Sequence, residues 1–242
     1  MTQNLGTAGA ELKLCYWGIR GLAQPIRFLL AMADAPYEEI RIGVTPSGEL
    51  LSKDEESVDW QTHRATLDVP FPNLPYLIDS SGPSPVQITQ SNALLRYLAR
   101  KFDFYGDSDN ERVEIDVLQE EAYDYRNKII ASAYTLGADY EAAFAEFIEE
   151  AIPRHVDGFE RYLSKRDAPS FFVGAKTSLV DFVLYELLWQ TSLMVPGSIT
   201  ETNRPQLHRF IKAFEKQPRI ATYRAGSDYI EGPINSPWAS FT

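Results

Sequence analysis

The chain has 242 residues, 44% of them hydrophobic, enough for a sizeable core in one large or two small domains. With 34 acidic against 23 basic side chains, its formal net charge is −11, which repels phosphate backbones and argues against a nucleic-acid partner. Its one cysteine, Cys15, cannot form an internal disulfide and suits a reducing compartment. The first ten residues lack the basic start and apolar run of a signal peptide, and residues 1–11 are expected as a disordered extension. No apolar run is long enough to span a bilayer, so no membrane partner is expected.

Residues 12–17 predict a strand, with Cys15 and Tyr16 on opposite faces. Gly18 and Gly21 bracket a turn. A helix follows, with Pro25 in its first turn and Ile26, Leu29, Leu30 and Ala33 on its buried side. Residues 37–42 alternate partially and predict an edge strand. Residues 43–59 have no clean period and predict a surface loop, ended by Trp60. In the stretch Phe71-Pro72-Asn73-Leu74-Pro75-Tyr76, Pro75 drives Leu74 into an extended conformation and lacks an N–H of its own. Two readings fit: an ordinary strand entered through a turn, or a short edge that offers the Leu74 N–H and C=O to an extended peptide. A cis Leu74–Pro75 bond would fix the second geometry. After a turn at 80–85 and a short strand at 86–89, Ser91 is placed to cap a helix carrying Leu94, Tyr97 and Leu98. Gln90 and Ser91 at that helix start suit a carboxylate, so hairpin and helix together suit a small anionic peptide.

Residues 103–110 carry turn residues and predict a linker, and from 111 onward the chain reads helical almost throughout. Ile115, Leu118, Ala122, Tyr125 and Ile129 form one apolar stripe. Asp124 stands four residues before Lys128, the spacing of a helical ion pair. Pro153 predicts a break or a new first turn within the amphipathic stretch 142–163. Ser178 and Asp181 have capping-box spacing ahead of an apolar helix over 182–189, and shorter helices follow at 205–214 and 220–225. The tail after 226 carries Tyr229, Ile230, Trp238 and Phe241 and is expected to pack down. His63, His155 and His208 lack ligand spacing, so no metal site is expected, and there is no Gly-rich phosphate loop.

Three motifs in order carry a resemblance. FPNLPYLID with ITQSNALLRYLARK, YWGIRGL at 16–22, and GAKTSLVD at 174–181 resemble a cytosolic glutathione transferase, closest to the mu class. That resemblance, from about residue 12 to 238, implies an α+β thioredoxin-like N-terminal domain over 12–102, the linker 103–110, and an all-α helical domain over 111–242. It implies transfer of the thiolate of reduced glutathione, as co-substrate, to hydrophobic electrophiles in detoxification. It also implies a cytoplasmic homodimer. Sigma-type glutathione-dependent isomerisation and a non-catalytic binding protein of the same fold are the alternatives.

By resemblance Tyr16 is the catalytic tyrosine, its hydroxyl donating to the glutathione sulfur. Its plain alternative is a packing tyrosine. Trp17, Leu22, Trp60, Arg64, Asn73, Leu74, Gln90 and Ser91 are implied glutathione ligands, Leu22 also standing beside the electrophile. Ser57 occupies a place where the family carries a basic residue. Asp124 is implied to reach glutathione held by the other subunit, and Phe71 to insert into that subunit. Ile19, Ile130, Tyr134 and Ser236 are implied to contact the electrophile, Tyr134 either as a hydrogen-bond donor to developing charge or as a packing residue. Cys15 alone raises the runner-up of a cysteine nucleophile, but its face of the strand predicts a buried small residue.

Overall fold

The computed structural model describes residues 3–6, 9–45, 49–166 and 170–242, with the backbone alone described at 3–6, 53–54 and 56–58. The chain divides into two compact units, Met1–Leu98 with Tyr223–Pro233 and Ala99–Thr222 with Ile234–Thr242. The cut falls at 98/99 rather than at the expected 102, and the tail segment Tyr223–Pro233, expected in the second domain, groups with the first unit.

In the first unit, β1 (Gln3–Gly6), β2 (Leu12–Trp17), β3 (Tyr37–Ile42), β4 (Tyr76–Asp79) and β5 (Val86–Thr89) form one sheet in the order β1-β3-β2-β4-β5. Only β2 and β3 run parallel, joined by the crossover helix α1 (Gln24–Ala33). The sheet corrects two expectations together. Residues 3–6 pair antiparallel with Glu38–Arg41, so the extension expected to be disordered contributes a strand. β3 therefore lies inside the sheet rather than at its edge. The bare backbone of β3 supplies a partner that the sequence of residues 3–6 does not announce.

Helix α1 buries more than the expected stripe. Ile26, Leu29 and Leu30 are fully buried, but so are Phe28 and Arg27, whereas Ala33 is half-buried. Arg27 is tolerated because its Nε and Nη2 lie 2.7 and 2.5 Å from Glu39 Oε1 on β3. Its Nη1 also donates to the Ile19 carbonyl at 3.0 Å, tying the helix to the loop after β2.

The expected loop 43–59 is also corrected. Helix α2 spans Lys53–Arg64 and begins with a capping box, in which the Glu55 carboxylate accepts from the Ser52 N–H (3.1 Å) and hydroxyl (2.6 Å). The helix is too polar to show an apolar stripe, so the Ser52-x-x-Glu55 spacing was the signal to use. Helix α3 (Ser91–Lys101) follows the β4–β5 hairpin. Asp79 accepts from the Tyr97 hydroxyl at 2.7 Å and from the Ser81 N–H at 2.9 Å, which pins the hairpin turn to α3.

The second unit is helical: α4 (Asp109–Tyr134), α5 (Tyr140–Glu146), a π-helical segment Phe147–Val156, α6 (Asp157–Ser164), α7 (Leu179–Met194), α8 (Pro205–Glu215) and α9 (Pro218–Ala225). The division between the units passes within α9. The predicted stripe on α4 is buried throughout. Pro153 makes neither a break nor a first turn. It sits inside the π-helical segment, where the wider turn takes a residue that cannot donate to an α-helical ladder. Ser108 caps α4 by accepting from the Glu111 N–H, so Asp109 and Asn110 of the expected linker already lie in its first turn. Lys176 holds the remainder, 2.7 Å from both Asp103 and Asp107. The core is built around α7, nearly all of which is buried.

Candidate active site

Tyr16 stands near the end of β2, where the chain leaves the sheet through residues 18–22. It is 6% exposed, and its hydroxyl oxygen accepts the Leu22 N–H at 3.0 Å. Gly21 makes that approach possible. Its φ is +40°, and a Cβ there would sit 2.4 Å from the Tyr16 hydroxyl. Ile19 is buried in the same turn, and Leu22 is half-buried.

Trp17 meets Trp60 edge-on at 6.2 Å, so the end of β2 touches α2. Trp60 stacks on His63, and His63 stacks on Tyr76 at 5.5 Å and hydrogen-bonds its hydroxyl through Nε2. His63 Nε2 is 3.8 Å from Cys15 Sγ. One aromatic chain thus joins β2, α2 and β4. By sequence spacing His63 is one of three scattered histidines. Its i,i+3 relation to Trp60 was hidden by the loop assignment. Burial pushes the Cys15 thiol up to about 12, so it stays protonated and unreactive. Burial lowers His63 below its ordinary value, leaving the imidazole neutral at pH 7. Arg64, in the last turn of α2, is exposed, and the side chain of Ser57 lies outside the described residues.

The Leu74–Pro75 bond is cis. The Leu74 N–H is not left open, as the peptide-edge reading expected: it donates to Asn73 Oδ1 at 2.9 Å. An incoming peptide carbonyl takes that N–H only by displacing the Asn73 side chain. Gln90 has φ +73°, left-handed for a residue with a side chain, which costs about 1–3 kcal/mol and is typical of functional sites. Its carbonyl accepts from the Ala93 and Leu94 N–H groups, so Gln90 stands in the capping position and Ser91 is the first residue of α3 rather than its cap.

In the second unit, Tyr134 and Ser236 meet. The Ser236 N–H donates to the Tyr134 hydroxyl at 3.0 Å, and Ser236 Oγ is buried with no hydrogen-bond partner among the described residues. Ile130 is half-buried one turn before Tyr134. Asp124 is exposed and does not take Lys128, which lies 3.8 Å from Glu146 instead. Asp124 lines a mostly apolar cleft of about 680 Å³ between α4 and α6, with Val117, Leu118, His155, Phe159 and Tyr162. Phe71, in the first unit, is 74% exposed. Among the described residues no group of three or more His, Cys, Asp or Glu is placed to hold a metal, and no helix is long and apolar enough to cross a membrane.

Two family models match the chain: glutathione S-transferase, N-terminal domain, over residues 12–100, and glutathione S-transferase, C-terminal domain, over 123–227. Among curated proteins, the chain is 35% identical to Homo sapiens glutathione S-transferase Mu 3 over 232 residues, 96% of each chain. It is 35% identical to the Rattus norvegicus Mu 1 enzyme over 229 residues, 95% of this chain and 97% of the other. Among solved structures, the Onchocerca volvulus pi-class glutathione S-transferase matches with TM-score 0.76 and 28% identity, and Blo t 8 with TM-score 0.81 and 27% identity. Each match covers 95% of this chain and 99% of the other.

Proposed function

The chain belongs to the glutathione S-transferase family, and from that membership we infer that it conjugates the thiolate of glutathione to hydrophobic electrophiles, with Tyr16 activating the thiol. One observation carries the role of Tyr16: the Leu22 N–H on its hydroxyl oxygen. That donor occupies one lone pair, stabilises negative charge on the phenol oxygen and strengthens the O–H as a donor toward sulfur. A free thiol with pKa near about 8.5 is only a few per cent thiolate at neutral pH. Lowering it by about two units needs about 2.7 kcal/mol, the size of one hydrogen bond to a charged group. The thiolate then attacks the electrophilic carbon. The electron pair leaves with the displaced group or moves onto the acceptor.

Trp60 and Arg64 suit the glycyl carboxylate, Arg64 by a bidentate fork, with Trp17 closing on Trp60. Asn73 and Leu74 suit the peptide backbone, the Leu74 N–H once the Asn73 side chain has left it, and Gln90 and Ser91 at the start of α3 suit the γ-glutamyl carboxylate. Electrophile contacts are assigned to Ile19 and Leu22 in the first unit and to Ile130, Tyr134 and Ser236 in the second. The Ser236 N–H holds the Tyr134 oxygen, which directs the Tyr134 O–H toward charge developing on the electrophile. We further propose a homodimer in which Phe71 enters the α4–α6 cleft of the other copy and Asp124 approaches the glutathione held by the first unit of the other copy. A cytoplasmic detoxifying role fits the single buried cysteine.

Tyr16→Phe removes one hydroxyl and little else. Turnover is expected to fall about 100-fold below neutral pH, with the KM for glutathione within a few-fold. The thiolate absorbance of bound glutathione is expected to titrate about two units higher than in the wild type. A titration that does not move in the mutant removes Tyr16 from the mechanism.

A further inference from the structure

The turn over residues 18–22 is held by a residue that neither the fold nor the reaction obviously needs. Arg20 is fully buried. Its Nη1 donates to the Tyr229 hydroxyl at 2.9 Å and to the Ile230 carbonyl. Its guanidinium carbon lies 5.1 Å from the centre of the Tyr229 ring. Its backbone N–H donates to the Pro233 carbonyl at 2.9 Å, and its own carbonyl accepts from the Ala23 and Gln24 N–H groups at 3.1 and 3.0 Å as α1 begins. Tyr229 is fixed in turn, tilted against Phe28 of α1 and edge-on to Tyr223. One residue thus bolts the tail segment Tyr223–Pro233 to the turn, from within the first unit.

The next two residues act on Tyr16. Gly21 leaves no room between the turn and the Tyr16 hydroxyl, and Leu22 supplies the N–H that the hydroxyl oxygen accepts. A small displacement of the turn therefore lengthens the Leu22–Tyr16 hydrogen bond, and such bonds weaken steeply with distance and angle. We propose that Arg20 is a positioning residue for Tyr16: by clamping the C-terminal tail to the turn, it holds the Leu22 N–H on the phenol oxygen and so sets the acidity of bound glutathione. This rests on the thiol-activating role of Tyr16. The tail thereby contributes to thiol activation through the turn.

The test is the pH titration of the thiolate absorbance of glutathione bound to full-length protein, with steady-state kinetics alongside. In Arg20→Met the midpoint is expected to rise by about one unit. Turnover at mildly acidic pH is expected to fall about tenfold and to converge on the wild type at alkaline pH, with the KM for glutathione within about twofold. Tyr229→Leu breaks the same clamp from the tail side and is read in the same way if Arg20→Met does not fold. Arg20→Lys keeps the charge but not the fork, and its midpoint is expected to fall between those of the wild type and Arg20→Met. An unmoved midpoint in the folded variants overturns the proposal, whether or not turnover or KM changes, because the clamp is then structural only. A wild-type complex whose glutathione titrates as it does in water sinks the reading of Tyr16 itself, a separate outcome.

Discussion

Phe71→Ser is expected to weaken self-association by roughly two to four orders of magnitude. Burying a phenyl ring in an apolar pocket is worth about 1.5–3 kcal/mol, and a two-fold interface repeats the contact, so one substitution removes about 3–6 kcal/mol. The ring is available for this, being 74% exposed in its own chain. The α4–α6 cleft offers a complementary surface in Val117, Leu118 and Phe159. Asp124 lines that same cleft, so in the proposed dimer a loss of association also withdraws its carboxylate from the other copy's glutathione. The concentration of glutathione for half-saturation should then rise in Phe71→Ser and in Asp124→Ala, but association should fail only in the first. Sedimentation across a concentration series measures both proteins. A wild type that is monomeric and fully active at micromolar concentration defeats the roles of Phe71 and Asp124 together.

Asp181→Ala should cost about 3–5 kcal/mol of folding stability, enough to unfold a marginal domain. Asp181 is fully buried. One oxygen accepts the Phe172 N–H at 2.8 Å, and the other accepts the Ser178 N–H at 2.7 Å and hydroxyl at 2.9 Å. Removing the carboxylate leaves two buried N–H groups without partners, at about 1–3 kcal/mol each, and takes away the Asp181 half of the α7 capping box. Asp181→Asn keeps the shape and isolates the charge. Burial raises the Asp181 carboxyl from 3.8 to about 6 against the pull of its three hydrogen bonds. The folded state therefore binds this proton more tightly than the unfolded chain. The contribution from this group is fully present below about pH 4 and is lost as pH rises through about 6, a span worth about 3 kcal/mol. The asparagine variant lacks that term. Its deficit against wild type, measured by urea unfolding at one protein concentration, should widen as pH falls from neutral to about 4.5. A deficit that stays constant over that range means Asp181 does not change its protonation there.

Local rules alone determined several features of this chain. The apolar stripe from Ile115 to Ile129, the Ser178–Asp181 capping box and the strand from Leu12 to Trp17 each rest on residues a few positions apart, and each stands in the structure. The turn YWGIRGL and the FPNLP segment were legible for the same reason: Gly permits conformations other residues avoid, and Pro fixes φ, wherever they occur. Tertiary structure decided what depends on partners distant in sequence. Residues 3–6 become a strand only because β3 leaves an open edge, and no residue type within them requires it. Helix α2 has a legible cap at Ser52 but too little apolar surface to reveal a period, so its helical state stood out only when Trp60 and His63 met Trp17 and Tyr76. Arg20 and Tyr229 lie 209 residues apart. A buried guanidinium finds its acceptors wherever the fold brings them, and no spacing rule reaches that far.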